Sequence, residues 1–475
     1  MKIVAPGRAL NIGACLLFGI LSVPSLSLAA NHYVRAGATG NGSGSDWTNA
    51  YTSLPSSLVR GDTYYMAAGT YGGHTFNDAL SSALLITVRT ATVADHGTGT
   101  GWSNSYAGTV HLGPLNFQNG YYTISGATRT SMTTGYGMVV TPSASCPTSP
   151  YLGNCNAVDV QDANGRNNTH ITLEYINFVG YGVNSYSSST KQIGSFIYAA
   201  KGVPSCCGAI NLTVRKDYFS DAGYCYDPIL IRGLAGGLFD NIDIEGAQYN
   251  DVYCHIALFS EGGSSNVTVK NSVLENESGA GYIELRTGSN NWYIYGNVFL
   301  QDPSSPYYPT DGVGNGIVTD LNSDTGGGTN IYIYNNTIAN VNRNVATGTG
   351  MSMIHGSNWI VENNLWYNSA SPGSYTYGIA PTVHDYNYFT DCTGKIPSET
   401  HGQTGRVDPF VNDSAKNFHL AGPTKAGLTL PAPYNVDPDG NTRGADGDWD
   451  RGAYEFLGNE TKPTPPSGLT VTGVH

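Results

Sequence analysis

The chain has few charged residues, and it has no long apolar run beyond the one in its first 30 residues. Only 12% of its 475 residues are Asp, Glu, Lys or Arg, with 35 acidic residues against 22 basic ones. An acidic excess argues against nucleic acid as a partner, because phosphate binding needs a basic surface. Beyond the first 30 residues, no segment approaches the roughly 18 apolar residues of a membrane span. We therefore expect no membrane span in the mature chain.

Common catalytic motifs are also missing. The sequence contains no P-loop, no convincing dinucleotide fingerprint, no HExxH zinc motif and no GxSxG nucleophile elbow. The cysteines show no CxxC or Cys/His spacing typical of zinc sites. These absences remove the usual signatures of nucleotide, zinc-protease and serine-hydrolase chemistry.

The first 30 residues are typical of a secretory signal. Lys2 and Arg8 precede an apolar stretch at 14–23, and a cleavage point follows at Ala29 or Ala30. We expect the protein to be secreted to the outside of the cell, where it either diffuses freely or is attached to the cell surface. Cleavage leaves 20 basic and 35 acidic residues, a net charge near −15.

Seven of the eight cysteines remain after cleavage. In an exported protein they are expected to form disulfides. The best predicted pair is Cys146 with Cys155, which bracket a loop, and the next is Cys225 with Cys254, which are about one repeat apart. The odd number leaves at least one free thiol.

One repeated pattern occupies the middle of the chain. A polar residue, usually Asn, is followed by apolar residues one, three and eight places later, and the shortest interval between copies is 25 residues. The seven copies begin at His170, Asn211, Asn241, Asn266, Asn291, Asn330 and Asn358. A repeat of this length indicates a solenoid or a propeller.

The spacing within each copy selects the solenoid. Apolar residues two places apart lie on one face of a strand, and segments such as NVTV and NIYI are rich in β-branched and aromatic residues. Propeller blades need about 40 residues, and no helical period is present. We therefore predict one coil of a parallel β-helix per copy. The starting Asn residues, with Asn297, Asn336 and Asn364 at the sixth position, are predicted to form structural ladders between coils.

Both ends of the chain carry a resemblance to known proteins. GDTYYMAAGTY near the start and DWDRGAYEF near the end resemble segments of the pectate-lyase-like group of secreted β-helix proteins. The resemblance implies an all-β fold, a single-stranded right-handed parallel β-helix with an N-terminal cap and a C-terminal closing segment. We assign 1–30 to the signal, 31–457 to the β-helix domain and 458–475 to a Pro- and Thr-containing tail, and we expect a monomer.

Candidate catalytic and binding residues are expected on the outer face of the strand that precedes the starting Asn of each copy. Alternation along these strands predicts an outward row of titratable residues on successive coils. The row comprises Arg232, His255, Tyr282, Glu284, Arg286, Asp320 and His355, with Glu261 beside it. One interpretation is a solvated face with ion pairs between coils. The other is a groove for an extended polysaccharide, in which successive sugars follow successive coils.

One coil has a sharper resemblance. GYIELRTG is similar to the Leu-Arg-x-Gly coil of alginate-lyase and chondroitinase-B type lyases, which implies a catalytic role for Arg286. The Lys that these lyases carry one coil earlier aligns with Gly263 here. His255, Tyr282 or Glu261 are the alternatives for the base. We assign catalysis to Arg286, His255, Glu284 and Tyr282, and substrate binding to Arg232, Glu261, Asp320 and His355.

The net charge and the acidic C-terminal segment indicate which polysaccharides and metal ions the protein could bind. A protein near −15 repels an anionic polymer, which favours a neutral glycan or dependence on Ca²⁺. Asp437, Asp439 and Asp448 are candidate calcium ligands. The sequence predicts a polysaccharide lyase or a glycoside hydrolase. The alternative is a non-catalytic surface or matrix protein that binds glycans or acts as a spacer or adhesin.

Overall fold

The computed structural model describes most of the region predicted to form the β-helix. The described residues are 1, 29–143, 155–160, 169–181, 194–199, 210–222, 227–246, 257–260, 263–277, 281–286, 288–308, 316–319, 327–343, 350–352, 356–376 and 380–458. The predicted signal, apart from its first and last residues, and nearly all of the tail lie outside these ranges. The boundaries of the signal and tail stay predictions.

Three parallel sheets form the walls of a solenoid. Sheet one contains β1 (Asn31–Val34), β2 (Thr63–Met66), β5 (Ile86–Thr90), β8 (Tyr122–Ser125), β11 (Thr169–Glu174), β14 (Ile210–Arg215), β17 (Ala235–Asp240), β20 (Ser265–Lys270), β23 (Asn290–Tyr295), β26 (Thr329–Tyr334), β29 (Ser357–Glu362) and β32 (Val383–Asp385).

Sheet two follows sheet one within each coil. It contains β3 (Gly69–Thr70), β6 (Val110–Leu112), β9 (Met138–Val140), β12 (Ile176–Val179), β15 (Tyr218–Ser220), β18 (Asp243–Ile244), β21 (Val273–Glu275), β24 (Val298–Leu300), β27 (Thr337–Ala339), β30 (Leu365–Tyr367), β33 (Tyr388–Thr390) and β34 (Gln403–Gly405).

Sheet three precedes the next strand of sheet one. It contains β4 (His74–Phe76), β7 (Leu115–Phe117), β10 (Val158–Val160), β13 (Ile197–Ala199), β16 (Ile229–Ile231), β19 (Leu258–Ser260), β22 (Ile283–Leu285), β25 (Val318–Thr319), β28 (Met351–Ser352) and β31 (Tyr375–Thr376). Three all-parallel sheets wound in this order confirm the prediction of an all-β parallel β-helix.

Short irregular elements complete the described part. Two single 3₁₀ turns cover Asn104–Tyr106 and Asp413–Ala415, and β35 (Phe410–Asn412) pairs antiparallel with β36 (Asn417–Leu420). In the part of the chain that the structure describes, no helix has the length and apolar character that crossing a membrane demands.

A left-handed residue lies near the start of most sheet-one strands in the repeat. At six predicted copy starts, the backbone φ lies between 54° and 57°, and the ladder pairs on either side skip that residue. Asn tolerates this conformation better than most residues, because its short polar side chain bonds locally. The Asn recurrence therefore follows from the backbone of each coil.

The third predicted copy is wrong by five residues. Gly237 pairs with Val267, so that Gly236, with φ of 95°, takes the place that Asn266 takes in the next coil. Asn241 instead matches Asn271, a second left-handed position five residues further on. Asn suits both positions, and the sequence pattern alone did not distinguish them.

The apolar positions of the other six copies form the core. All eighteen are at most 1% exposed and belong to one hydrophobic cluster that runs along the solenoid. Burial of this kind contributes roughly 1.5–3 kcal/mol for each large apolar side chain, which makes the interior the main source of stability. Because the apolar positions of the repeat are buried, they stabilise the fold and give no information about function.

Two Asn ladders join neighbouring coils, as predicted. In the inner ladder, the Nδ2 atoms of Asn297, Asn336 and Asn364 each donate to the Oδ1 atom of the Asn in the next coil, at 2.9–3.0 Å. The last acceptor is Asn387, which donates in turn to Glu399 at 2.8 Å. An outer ladder links Asn266, Asn291, Asn330 and Asn358 at 2.7–3.1 Å.

The closing segment is tied to the last coils by a buried arginine. Arg451 donates to the backbone oxygens of Asn387, His401 and Ala426 at 2.8–3.0 Å. Burial chiefly lowers the pKa of this guanidinium. The DRGAYEF segment therefore has a structural role.

Cys392 is a free thiol, and burial raises its pKa to about 12. Cys146, Cys225 and Cys254 lie outside the described residues, so that both predicted disulfides stay predictions.

Candidate functional site

The register of sheet three shows which residues are neighbours on adjacent strands. Glu284 pairs with Phe259 on one side and with Thr319 on the other. The same row continues to Leu230 in β16 and Ser352 in β28. The predicted titratable row therefore mixes residues from different positions of the coil, because Glu284 lies within β22 whereas Arg232 and Arg286 directly follow their strands.

The prediction that Tyr282 faces outward is wrong. Its side chain is 0% exposed, its hydroxyl donates to the Leu300 carbonyl oxygen at 2.8 Å, and its ring meets Phe299 edge-on. Burial raises the pKa of the phenol well above its ordinary value. Tyr282 thus belongs to the core and is not accessible to a polymer.

The reason lies in the length of the strands. β22 has only three residues, and alternation does not continue into the turn that contains Gly281. The residues that precede other sheet-three strands, Phe196, Ala257 and Ile317, are also fully buried. Val318 in β25 pairs with Ile283 and is buried too, so that the consecutive residues Ile317 and Val318 both lie in the core and strict alternation does not hold there either.

Glu284 and Arg286 form the centre of the described site. The Arg286 Nε atom donates to the Glu284 Oε1 atom at 2.7 Å. The Glu284 side chain is only 2% exposed, whereas that of Arg286 is 33% exposed. Because a buried carboxylate needs a charged or hydrogen-bonded partner, the pair holds the guanidinium at the surface of the coil.

Arg232 occupies the position equivalent to Arg286 two coils earlier. Each follows its strand directly, and its backbone N–H donates to the preceding coil, to Ala199 for Arg232 and to Ser260 for Arg286. Two coil spacings separate the two backbones by about 10 Å. Arg232 is partly exposed, so two arginines lie along one side of the solenoid.

Gly263 lies in a left-handed turn beside this pair. Its φ is 71°, and Gly233 and Gly288 lie in the adjoining coils with φ of 67° and 81°. A Cβ atom on Gly288 would approach the Gly263 Cα atom to 3.2 Å. The backbone therefore favours glycine here, which gives a physical reason for the missing Lys of the Leu-Arg-x-Gly lyases.

Four of the predicted site residues belong to segments that the structure does not describe. His255, Glu261, Asp320 and His355 lie outside the described residues. Their assignments stay predictions.

The predicted calcium ligands are engaged in a turn and an ion pair. Asp437 accepts hydrogen bonds from Asn441 and from the backbone N–H groups of Asp439 and Glu455. The Asp439 carboxylate accepts from the His419 ring at 2.6 Å, and Asp448 is exposed. Among the described residues, no group of three or more His, Cys, Asp or Glu side chains could hold a metal ion.

A further charged network was not predicted. The Lys416 Nζ atom contacts Glu275 at 2.6 Å and Asp302 at 3.1 Å on the outer side of sheet two. Burial raises the pKa of Glu275, while its contact with Lys416 acts in the opposite direction. Glu275 and Lys416 are 141 residues apart, and neither lies in a motif, so the sequence carried no signal for the contact.

Comparisons with known proteins give similarity of architecture. No family model matches the chain, and no curated protein matches its sequence significantly. The chain is similar to the solved structure of pectate lyase Pel9A, with a TM-score of 0.48 and 15% identity over 91% of this chain and 98% of that one.

Two other solved structures are similar to the same extent. For XylC in complex with xylose the TM-score is 0.46, with 9% identity over 90% of this chain and 98% of that one. For a mannuronic-acid-specific family 6 polysaccharide lyase from human gut microbiota the TM-score is 0.44, with 11% identity over 80% of this chain and 81% of that one. Similarities of this size concern the fold and not the chemistry.

Proposed function

We propose that the protein is an extracellular polysaccharide-active β-helix protein, and that it cleaves an extended glycan by β-elimination along the outer face of sheet three. The observation that supports the proposal is the Glu284–Arg286 pair. A buried carboxylate orients a partly exposed guanidinium in the coil whose sequence resembles the Leu-Arg-x-Gly lyases.

In this proposal Arg286 contacts the acid group of a uronate. A guanidinium neutralises the charge that develops when the neighbouring carbon loses its proton. Glu284 is a positioning residue, because its burial and its contact with Arg286 keep it from the substrate. His255 or Glu261 takes the proton from that carbon, whose electron pair forms a C=C bond as the glycosidic C–O bond on the adjacent carbon breaks, and the leaving oxygen takes a proton from solvent. Arg232 binds a second sugar, as the sequence predicts. The local arginines offset the repulsion expected from the net negative charge.

A second candidate is a β-helix that binds glycans without cleaving them. Tyr282, one of the predicted alternatives for the base, is buried, and Gly263 provides no side chain for a base. This observation favours binding by the arginine-bearing face with no reaction.

The test incubates the mature protein with a panel of uronate and neutral polysaccharides, each with Ca²⁺ and with a chelator. A lyase gives absorbance from unsaturated products together with new reducing ends. Reducing ends without that absorbance identify a hydrolase and contradict the β-elimination. Binding with neither product supports the second candidate, and no binding to any polysaccharide contradicts both. An effect of the chelator would support the predicted dependence on Ca²⁺.

A further inference from the structure

A cavity of about 370 Å³ opens on the outer side of sheet two, away from the arginines of sheet three. The turns after β24, β27 and β30 form one wall, and the 3₁₀ turn at Asp413–Ala415 forms the other. Its volume falls in the lower part of the range of about 300–1,000 Å³ for small-molecule pockets. A ligand of one or two sugar rings has a suitable size.

The wall near Lys416 is held in place by ionic contacts. Lys416 donates to Glu275 and Asp302, and the other oxygen of Asp302 accepts from the Ser304 N–H and hydroxyl at 2.8 and 2.7 Å. Asp302 is therefore charged, and its contacts with Ser304 and Lys416 outweigh burial and lower its pKa. A wall fixed in this way is preorganised for a ligand.

The charges that line the cavity balance. Asp302 and Asp413 are opposed by Lys416 and Arg343, and the Arg343 side chain is 50% exposed, with its nearest carboxylate, Asp391, at 3.7 Å. A balanced lining favours a neutral ligand over an anion or a cation, because neither sign of charge gains net attraction.

A buried hydrogen-bond acceptor at the cavity has no partner among the described residues. Asn368 lines the cavity and is 6% exposed. Its Nδ2 atom donates to Asn340 at 2.5 Å, but its Oδ1 atom has no hydrogen bond within the described part. Because this oxygen atom is shielded from solvent, Asn368 contributes to the wall of the cavity and the hydrogen bonds to a ligand come from the more exposed lining residues.

We propose that this cavity binds a neutral saccharide unit. Sugar hydroxyls accept from Arg343 and Lys416, while Tyr308 provides apolar contact for a ring face. The site lies on a different sheet from Arg286 and carries no reaction. It retains a sugar unit whether or not the chain cleaves a glycan elsewhere.

The test measures calorimetric binding of the mature protein to cellobiose, xylobiose, maltose and lactose as neutral probes, and to digalacturonate as an acidic probe. At least one neutral disaccharide is expected to bind. Ser414→Trp, which places an indole at the mouth of the cavity, is expected to weaken binding by at least about tenfold. Arg343→Ala, a change at a half-exposed side chain, is expected to weaken it several-fold without lowering the melting temperature.

Two controls separate this site from other effects. Ser81→Trp adds the same ring at an exposed position near the N-terminus and is expected to bind as the wild type does. Arg215→Ala, which removes a half-exposed guanidinium from sheet one, is expected to leave the binding of neutral disaccharides unchanged, so that a general effect of removing a surface arginine is excluded. The inference is overturned if no neutral probe binds, if only digalacturonate binds, or if both Ser414→Trp and Arg343→Ala bind as tightly as the wild type.

Discussion

At the scale of single residues, the proposed function depends on the Glu284–Arg286 pair. Arg286 reaches the surface in an orientation that Glu284 sets from below, at 2.7 Å. The matched pair in sheet one, Arg215 with Glu174 at 2.6 Å, lies on another wall of the solenoid, and its arginine is 48% exposed. Because both sheets carry an Arg–Glu ion pair, substitutions in the two pairs show whether the location of the arginine on sheet three matters or only its positive charge.

Glu284→Gln is expected to keep the side-chain volume but to release Arg286 from its charged partner. Loss of a largely buried charged hydrogen bond costs about 1–3 kcal/mol in the free energy of unfolding. Chemical denaturation measures this cost, and polysaccharide binding is expected to weaken because Arg286 loses its orientation. Glu174→Gln is the control and should change stability by less than about 1 kcal/mol. Equal effects of the two variants would contradict a special role for Glu284.

Gly263→Ala tests the left-handed turn that replaces the expected Lys. A side chain at φ of 71° is expected to cost about 1–2 kcal/mol in the free energy of unfolding, because Cβ crowds the carbonyl oxygen. Ser265→Ala, at the start of the adjoining β20, is a control with an ordinary backbone. If the two variants are equally stable, the backbone does not account for the absence of a side chain at residue 263.

At the scale of elements, the Asn ladders show that one residue type serves two positions in the coil. Inner Asn side chains are buried and bond both to the next Asn and to backbone oxygens, as Asn336 does with Asn364 and Ile294 at 2.9 Å. Outer Asn side chains bond along the surface of sheet one. The two ladders should therefore differ strongly in their contribution to stability.

Asn336→Ala is expected to be more destabilising than Asn330→Ala. The inner substitution removes several buried hydrogen bonds and leaves their partners unpaired, at a cost of about 2–5 kcal/mol. The outer one removes partly exposed bonds and places Ala at φ of 57°, at about 1–2 kcal/mol. Thermal and denaturant unfolding measure both. A larger loss for Asn330→Ala would contradict the structural ranking of the ladders.

At the scale of the whole molecule, the closing segment folds back onto distant coils. Gly452 and Ala453 bond to Asn363 and Thr337, and the buried Glu455 accepts from the backbone N–H groups of Gly444 and Asp450. Burial raises the pKa of Glu455 to about 7. The segment therefore links the stability of the last coils to pH.

The pH dependence has a definite sign. Because the folded pKa of Glu455 exceeds its ordinary value of 4.5, the folded state holds the proton more tightly than the unfolded state. Its contribution is most favourable below pH 4.5 and is lost as the pH rises to about 7, by roughly 1–3 kcal/mol. Glu455→Gln should lessen this fall between pH 5 and 7.5 in urea unfolding. An unchanged pH profile in the variant would contradict the assignment.

The repeat made the coils predictable, because Asn, apolar and turn residues recur where the backbone requires them. It misplaced the third copy, since Gly236 takes a position where other coils have Asn. The prediction from strand alternation was wrong for Tyr282, because β22 has only three residues and Tyr282 lies before it, where side chains no longer alternate. The cavity beside Lys416 was not predictable, because its walls come from coils and a closing segment that only the folded chain brings together.

The most direct test of the account compares Arg286→Ala with Arg215→Ala on the polysaccharide that the wild type cleaves or binds. Loss of the guanidinium at residue 286 is expected to lower kcat/KM, or the affinity of a non-catalytic protein, by about a hundredfold or more. Arg215→Ala, which removes a similar surface guanidinium from sheet one, should retain wild-type values. Full activity or binding in Arg286→Ala would contradict the placement of the site on sheet three.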